Sequence, residues 1–150
     1  MKSVYDQIWE SALRKLEIRI HSRFELKQKL EEKFPAEMDE IVKVLDEMER
    51  VQLLNDRRFT EEFIHHLIQK PIGRFKIGME SKRKGLDADY VDQVLENAGW
   101  NETEAAKLAM SQKDRVLNEK DERKRKMKIM NFLRNRGFGD RVIFQILRSF

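Results

Sequence analysis

A pattern of residues occurs twice in this chain at a spacing of 52. Residues 133–147 read LRNRGFGDRVIFQIL, and residues 81–95 read SKRKGLDADYVDQVL. Gly137 falls on Gly85, a basic residue precedes each glycine, and apolar residues recur at equal distances after it. Repeats of this length are usually single supersecondary units that bury their apolar faces against their neighbours.

The first third of the chain holds a third, more divergent copy. At an offset of 51, Ser22 aligns with Gly73 and Leu26 with Ile77. This copy reads Phe34-Pro35 where the other two have a glycine and an apolar residue. Three copies with a period near 50 predict a tandem array of small units.

Apolar residues step by three and four along almost the whole chain, as in helices that bury one face. Met38, Ile41, Leu45 and Met48 form one such series, and the last helix carries another that ends at Phe150. Two Pro and six Gly are too few for a fold of strands and tight turns. The predicted fold is therefore all-α, with three tandem three-helix repeats that form an elongated, curved array. The repeats are assigned to residues 1–54, 55–100 and 101–150.

Local signals mark several of the predicted helix ends. Ser22 with Glu25, and Asn101 with Glu104, have the spacing of a capping box, in which each side chain binds the other residue's backbone N–H. Gly85 suits the left-handed position just after a helix.

Phe24 and Phe75 stand just inside two aligned helix starts. Aromatic residues on helices usually complete a core, which is our expectation for both, and stacking on a partner or a base is the alternative. The same spacing assigns four more aromatic residues to the core: Trp9, Phe59, Phe63 and Trp100.

Positive charge is concentrated in the last third of the chain. Residues 1–54 carry 10 Lys and Arg against 12 Asp and Glu, and residues 55–100 carry 8 against 8. Residues 101–150 carry 13 against 7. Such an asymmetry suggests a polyanionic partner, either nucleic acid or an acidic protein surface.

The middle helices of the second and third units carry cations at equivalent places, since Lys82 aligns with Arg134. We predict a continuous basic stripe that binds a partner or DNA. Its residues are Arg74, Lys76, Lys82, Arg83, Lys84, Arg123, Lys124, Arg125, Lys126, Lys128, Arg134 and Arg136. The alternative is a solvated face whose cations pair locally with carboxylates such as Asp114 and Glu119.

Four stretches, in order along the chain, resemble the signatures of the RecX family of regulatory proteins. They are residues 19–26 (RIHSRFEL), 54–59 (LNDRRF), 70–77 with 84–86 (KPIGRFKI and KGL) and 132–138 (FLRNRGF). The resemblance extends from Ala12 to Leu147. One departure is Ser81, where the family usually has leucine, and a polar residue there is expected to loosen the middle unit.

The resemblance implies a non-enzymatic regulator of the RecA recombinase that needs no cofactor. Family members bind the RecA–single-stranded DNA filament in its helical groove and inhibit ATP hydrolysis, strand exchange and co-protease activity. They thereby modulate recombination, DNA repair and the SOS response. An elongated array can reach several subunits of a helical polymer, and a basic third suits a groove lined by acidic protein and phosphate.

Two other functions stay open. A stand-alone helical DNA-binding protein would use the basic C-terminal repeat, where the turn at residues 134–141 leads into a helix with Arg141, Gln145 and Arg148 on one face. An adaptor would join two other proteins, as many helical repeats do.

Catalysis and metal binding find little support in the sequence. The chain has no Cys, which removes thiolate nucleophiles, disulfides and Cys-ligated zinc. No phosphate-binding glycine loop is present. Glu62 and His65 share a predicted helical face, but His66 points elsewhere and His21 lies in another unit, whereas zinc needs three or four ligands. We predict no enzyme activity, no metal and no cofactor.

No apolar run approaches the roughly 18 residues that a membrane span needs. Residues 1–16 carry charges throughout, unlike a signal peptide. The lack of Cys fits a reducing compartment. We expect a cytoplasmic monomer that does not bind membranes, with RecA on single-stranded DNA as its partner and only weak direct binding to DNA.

Overall fold

The structure, a computed structural model, describes residues 1–149. All regular secondary structure in this range is α-helical, so the predicted all-α class is confirmed. The helices are α1 Val4–Ile18, α2 Arg23–Lys33, α3 Met38–Arg50, α4 Asp56–Leu67, α5 Arg74–Arg83, α6 Ala88–Asn97, α7 Glu102–Val116, α8 Glu122–Asn135 and α9 Asp140–Leu147. The prediction for Phe150 falls outside the described residues. None of these helices is both long and apolar enough to cross a lipid bilayer.

The helices pack in three groups of three, each around its own small core. Leu26 and Leu30 of α2 are fully buried between α1 and α3, and Ile77 of α5 is buried between α4 and α6. Ile129 and Leu133 of α8 take the same places in the third group. The middle helix of each unit therefore contributes equivalent core positions, as the repeat predicts.

Both predicted capping boxes form only in part. The Ser22 and Asn101 side chains accept hydrogen bonds from the backbone N–H of Glu25 (3.2 Å) and Glu104 (3.0 Å). The Glu104 carboxylate turns instead to the neighbouring Lys107, and the Glu25 carboxylate binds cations from two other segments. These cations compete successfully with a backbone N–H for the carboxylates.

The aromatic residues divide between core and surface. Phe59 is buried, and Trp9, Phe63 and Trp100 pack against the cores from half-buried positions: the core prediction holds for these four. It is wrong for Phe24 and Phe75, which are 42% and 69% exposed. Each stands two residues before a buried core position, about 200° away around the helix.

The serine at position 81 is buried but leaves no polar atom unpaired. The Ser81 hydroxyl donates to the carbonyl oxygen of Ile77, one turn earlier in α5, at 2.7 Å. Leu30 and Leu133 occupy the equivalent places and are fully buried. The departure from the family pattern is therefore accommodated within the helix itself.

A row of end-to-end helices as the candidate interface

The middle helices of the three units meet end to end. The hydroxyl of Ser22, which caps the start of α2, donates to the carbonyl of Lys84 at the end of α5 at 2.6 Å. The N–H of Gly73, which caps the start of α5, donates to the carbonyl of Arg136 at the end of α8 at 2.8 Å. The order along this row is therefore α8, α5, α2, the reverse of the order along the chain.

Each of the two joints contains a second, equivalent contact. The backbone N–H of Arg23, the first residue of α2, donates to the carboxylate of Asp56 at 2.8 Å. The backbone N–H of Arg74, the first residue of α5, donates to the carboxylate of Glu102 at 2.7 Å. Asp56 and Glu102 are themselves the first residues of α4 and α7. These carboxylates satisfy N–H groups that have no partner within their own helix, so one joint design is used twice.

The joint between α5 and α8 depends on two glycines. The carbonyl of Gly137 accepts a hydrogen bond from the N–H of Phe75 at 3.1 Å. A Cβ on Gly73 would stand closer than 3.0 Å to the Gly137 backbone, and one on Gly137 would stand 2.5 Å from the Lys76 Cβ. Gly137 also has a φ of +87°, in the left-handed region. The backbones approach so closely that neither position has room for a side chain.

The joint between α2 and α5 also has a crowded glycine, Gly85, whose Cβ would stand 2.4 Å from the Phe24 Cβ, and it contains a cluster of charged side chains as well. The Glu25 carboxylate accepts from Arg19 at 2.6 Å and from Lys84 at 2.7 Å, and its side chain is 10% exposed. Burial alone would raise the pKa of this carboxyl, but the hydrogen bonds from Arg19 and Lys84 outweigh it and lower the pKa to about 2. Glu25 therefore stays ionised and holds the two units together.

His21 lies buried beside this cluster. Its Nδ1 is 3.0 Å from the carbonyl of Arg19, and its Nε2 is 2.8 Å from the Lys29 ammonium. Because an ammonium can only donate, Nε2 accepts and Nδ1 carries the hydrogen, so the ring is neutral. Burial lowers the pKa of His21, and the positive charges of Arg19 and Lys29 act in the same direction.

Several residues of the predicted basic stripe are engaged inside the molecule. Lys84 binds Glu25 in the joint, and Arg74 pairs with Asp92. Arg125 is half-buried and holds both the side chain and the carbonyl of Asp114. The Arg136 guanidinium lies 4.8 Å from the centre of the Phe132 ring. Lys84, Arg74 and Arg125 therefore pair locally with carboxylates, whereas Arg136 lies against an aromatic ring.

The remaining cations of the stripe face solvent on α5 and α8. Arg83, Lys128 and Arg134 form exposed ion pairs with Glu80, Glu119 and Asp140. Such pairs contribute little and exchange readily for a partner's anions. Among the described residues, five cations of the stripe have no ion pair: Lys76, Lys82, Arg123, Lys124 and Lys126.

Apolar side chains lie between these cations, and sequence reasoning missed them. Met79 on α5 and Met127 on α8 are 47% and 52% exposed. Met127 aligns with Phe75 at the repeat spacing of 52, and Phe75 aligns with Phe24 at 51. The repeat alignment alone could have revealed that these three exposed positions are equivalent.

Within residues 1–149, no three His, Asp or Glu side chains gather in an arrangement that could hold a metal ion. His65 and His66 are both exposed on α4.

Comparison with protein families places the chain among known proteins. Residues 55–95 match the family model described as RecX, second three-helix domain. The chain is 35% identical to the regulatory protein RecX of Chlorobaculum tepidum over 130 residues, which are 86% of this chain and 79% of that protein. It is 37% identical to the regulatory protein RecX of Chlorobium limicola over 134 residues, 88% of this chain and 82% of that protein.

Two crystal structures share the fold. RecX from Lactobacillus salivarius superposes with a TM-score of 0.76 at 21% identity, over 97% of this chain and 95% of that one. Another regulatory protein RecX superposes with a TM-score of 0.82 at 17% identity, over 97% of this chain and 73% of that one.

Proposed function

The chain belongs to the RecX family of regulatory proteins, and from this we propose that it regulates the RecA recombinase in the cytoplasm. It binds the RecA–single-stranded DNA filament as a monomer and inhibits ATP hydrolysis, strand exchange and co-protease activity. Recombination and DNA repair are modulated as a result. The protein acts by binding and not by catalysis.

The observation that carries this proposal is the row α8, α5, α2 with its solvent-facing cations. The joint between α8 and α5 is built from backbone contacts, so the two helices adjoin end to end. Lys82 on α5 and Arg123, Lys124 and Lys126 on α8 are exposed and have no ion pair among the described residues. A row of helices with free cations suits a long partner that presents regularly spaced anionic groups.

The three repeats, residues 1–54, 55–100 and 101–150, have different parts in this proposal. The second and third supply the basic surface, and the first, which is net acidic, extends the body along the partner. Contacts between cations and phosphates make binding weaken steeply as salt rises, and they carry no sequence preference.

The test measures ATP hydrolysis by RecA on single-stranded DNA while this protein is added below stoichiometry. We expect the wild type to inhibit. A variant with Arg123, Lys124 and Lys126 changed to Glu should inhibit much less. Arg125 is left in place because it is engaged with Asp114. The matched control changes Arg14, Arg57 and Lys70 to Glu. These three cations are exposed and have no ion pair among the described residues, so the control shifts the net charge equally and should leave inhibition intact.

Other outcomes would redirect the proposal. If the α8 variant inhibits as well as the wild type, the contact surface lies elsewhere on the array. If the wild type does not inhibit a matched RecA, the regulator proposal fails. A stand-alone DNA-binding protein, using exposed Arg141, Gln145 and Arg148 around α9, would instead bind one duplex sequence tightly at physiological salt. An adaptor would show no dependence on DNA.

A further inference from the structure

The outward face of α5 carries an apolar groove with a cationic rim. The groove is open to solvent, has a volume of about 800 Å³, and is lined, among the described residues, by Arg74, Phe75, Gly78, Met79, Lys82 and Arg83 of α5. At 69% exposure, Phe75 is the most exposed phenylalanine that the structure describes. With Met79, which is 47% exposed, it forms a contiguous apolar patch, and such patches are the ones that mark binding surfaces.

Gly78 lies in this groove, next to the Arg74 guanidinium. A glycine inside a helix destabilises it by about 0.5–1 kcal/mol relative to alanine. Gly78 does not have a positive φ. A Cβ there would meet only the end of the flexible Arg74 side chain, at 3.2 Å. The equivalent residues of α2 and α8 are Lys27 and Met130. Among the described residues, the flexible Arg74 side chain is the group that lies over Gly78 beside Phe75, and it can move aside for a flat group.

The charges around the groove favour an anionic occupant. Within residues 1–149, Lys82 is exposed without an ion pair, and Arg83 forms a long exposed pair with Glu80 at 3.5 Å. Arg74 pairs with Asp92. An aromatic face beside free cations is the pattern by which proteins hold single-stranded nucleic acid, with a base on the ring and phosphates on the cations. In a duplex the base faces are stacked and out of reach.

We propose that the α5 groove binds an unpaired nucleotide of single-stranded DNA. The base stacks on Phe75 beside Gly78, where the Arg74 side chain moves aside, and Lys82 and Arg83 contact the phosphates. The strand continues toward α8, whose end adjoins the start of α5, past the unpaired cation Lys76. The setting, a filament that contains single-stranded DNA, rests on the proposed function, but the test needs no RecA.

The test measures anisotropy of a fluorescein-labelled oligo(dT) of about 15 nucleotides, the upper end of typical site sizes for such domains, with the full chain at low salt. Gly78→Leu fills the groove, and because Leu is the better helix former, its melting temperature should equal or exceed that of the wild type. We expect Gly78→Leu and Phe75→Ala each to weaken binding about tenfold or more, in line with the loss of one stacked base. Phe75→Trp should restore binding, and Phe144→Ala, which removes an exposed ring from α9, should not change it.

The proposal is overturned if the wild type does not bind the oligonucleotide at low salt. It is also overturned if Gly78→Leu and Phe75→Ala bind as the wild type does. Loss of RecA inhibition in those variants without loss of oligonucleotide binding would assign the groove to protein and also overturn it. If Gly78→Leu and Phe75→Ala bind the oligonucleotide more weakly than the wild type does, but the wild type does not inhibit RecA, the nucleotide site stands and the regulator proposal fails.

Discussion

The backbones of Gly73 and Gly137 lie against each other where α5 meets α8, and neither has room for a Cβ. Replacing Gly73 by Ala should destabilise the protein by about 1–3 kcal/mol, because the backbones must move apart. Gly139→Ala is the matched control. Gly139 also caps a helix start without a side-chain hydrogen bond, but open space surrounds it. Gly139→Ala should change the free energy of unfolding only by the ordinary difference between Gly and Ala at a helix start. Urea unfolding measures this free energy for both variants.

The partner glycine can be tested in the same way. Gly137 and Gly99 both have a left-handed φ, but only Gly137 is crowded. Gly99→Ala should cost about 1–2 kcal/mol from backbone strain alone. Gly137→Ala should cost clearly more, since a clash with Lys76 is added. Equal losses of unfolding free energy for the two variants would contradict the close packing of this joint.

Glu25→Gln should destabilise the protein by about 1–3 kcal/mol, since it removes the charge that Arg19 and Lys84 both contact and leaves them unpaired. The shape of the side chain is kept, so the loss reports the charge. Glu31→Gln is the control because Glu31 forms only a long pair with Lys27, at 3.8 Å. It should change stability by less than about 0.5 kcal/mol. Chemical denaturation at neutral pH measures both.

Stability should fall in two stages as the pH is lowered. The pKa of His21 is below its ordinary value of 6.5 in the folded state, so the unfolded chain binds a proton first and stability declines as the pH falls below about that value. Glu25 has a pKa of about 2 when folded and 4.5 as a reference. The contribution of Glu25 to stability is complete above pH 4.5 and is lost as the pH falls from 4.5 to about 2.

Two variants separate these stages in urea unfolding measured across the pH range. His21→Asn should flatten the decline just below pH 6.5, the ordinary pKa of His. Glu25→Gln should leave that stage in place and reduce the acid stage. The acid stage should not vanish, because salt bridges also lower the pKa of Glu47 and of Glu119. An unchanged upper stage in His21→Asn would argue against a neutral, buried ring.

The two serines buried in α5 and at the start of α2 should respond differently to replacement by Ala. Ser22 caps α2 and also donates to the Lys84 carbonyl across a joint, so Ser22→Ala should cost about 2 kcal/mol. Ser81 donates only to a carbonyl of its own helix. Ser81→Ala should therefore change stability by less than about 0.5 kcal/mol. Similar losses of melting temperature would mean that the Ser22 contact contributes nothing to the joint.

The helices and their grouping could be predicted because they depend on short-range patterns. Steps of three and four residues mark each buried face, and the repeated glycine marks the ends of α5 and α8. The joints could not be predicted in this way. Ser22 signals a helix start and Gly85 signals a helix end, but nothing local says that the two ends meet. That contact depends on how whole units are placed in space.

The sequence predicted which residue types form the candidate site, but not which of its cations are free to bind a partner. Charge alone identified the cations of α5 and α8. Whether a cation is free depends on partners from other helices, as with Arg125 and Asp114 or Lys84 and Glu25. Glu25 itself has the spacing of a capping box, and its role in a joint was hidden by that more local pattern. No local sequence pattern singles out Gly78, because its place in the groove beside Phe75 is visible only in the structure.

The three middle helices all run the same way along their row, because the C-terminal end of each meets the N-terminal end of the next. Their peptide dipoles add, so the row has a positive end near Asp121, where α8 begins, and a negative end near Phe34, where α2 stops. A DNA strand and a filament assembled on it are also different at their two ends. On the proposed function, this polarity of the row would favour one of the two possible orientations along the filament.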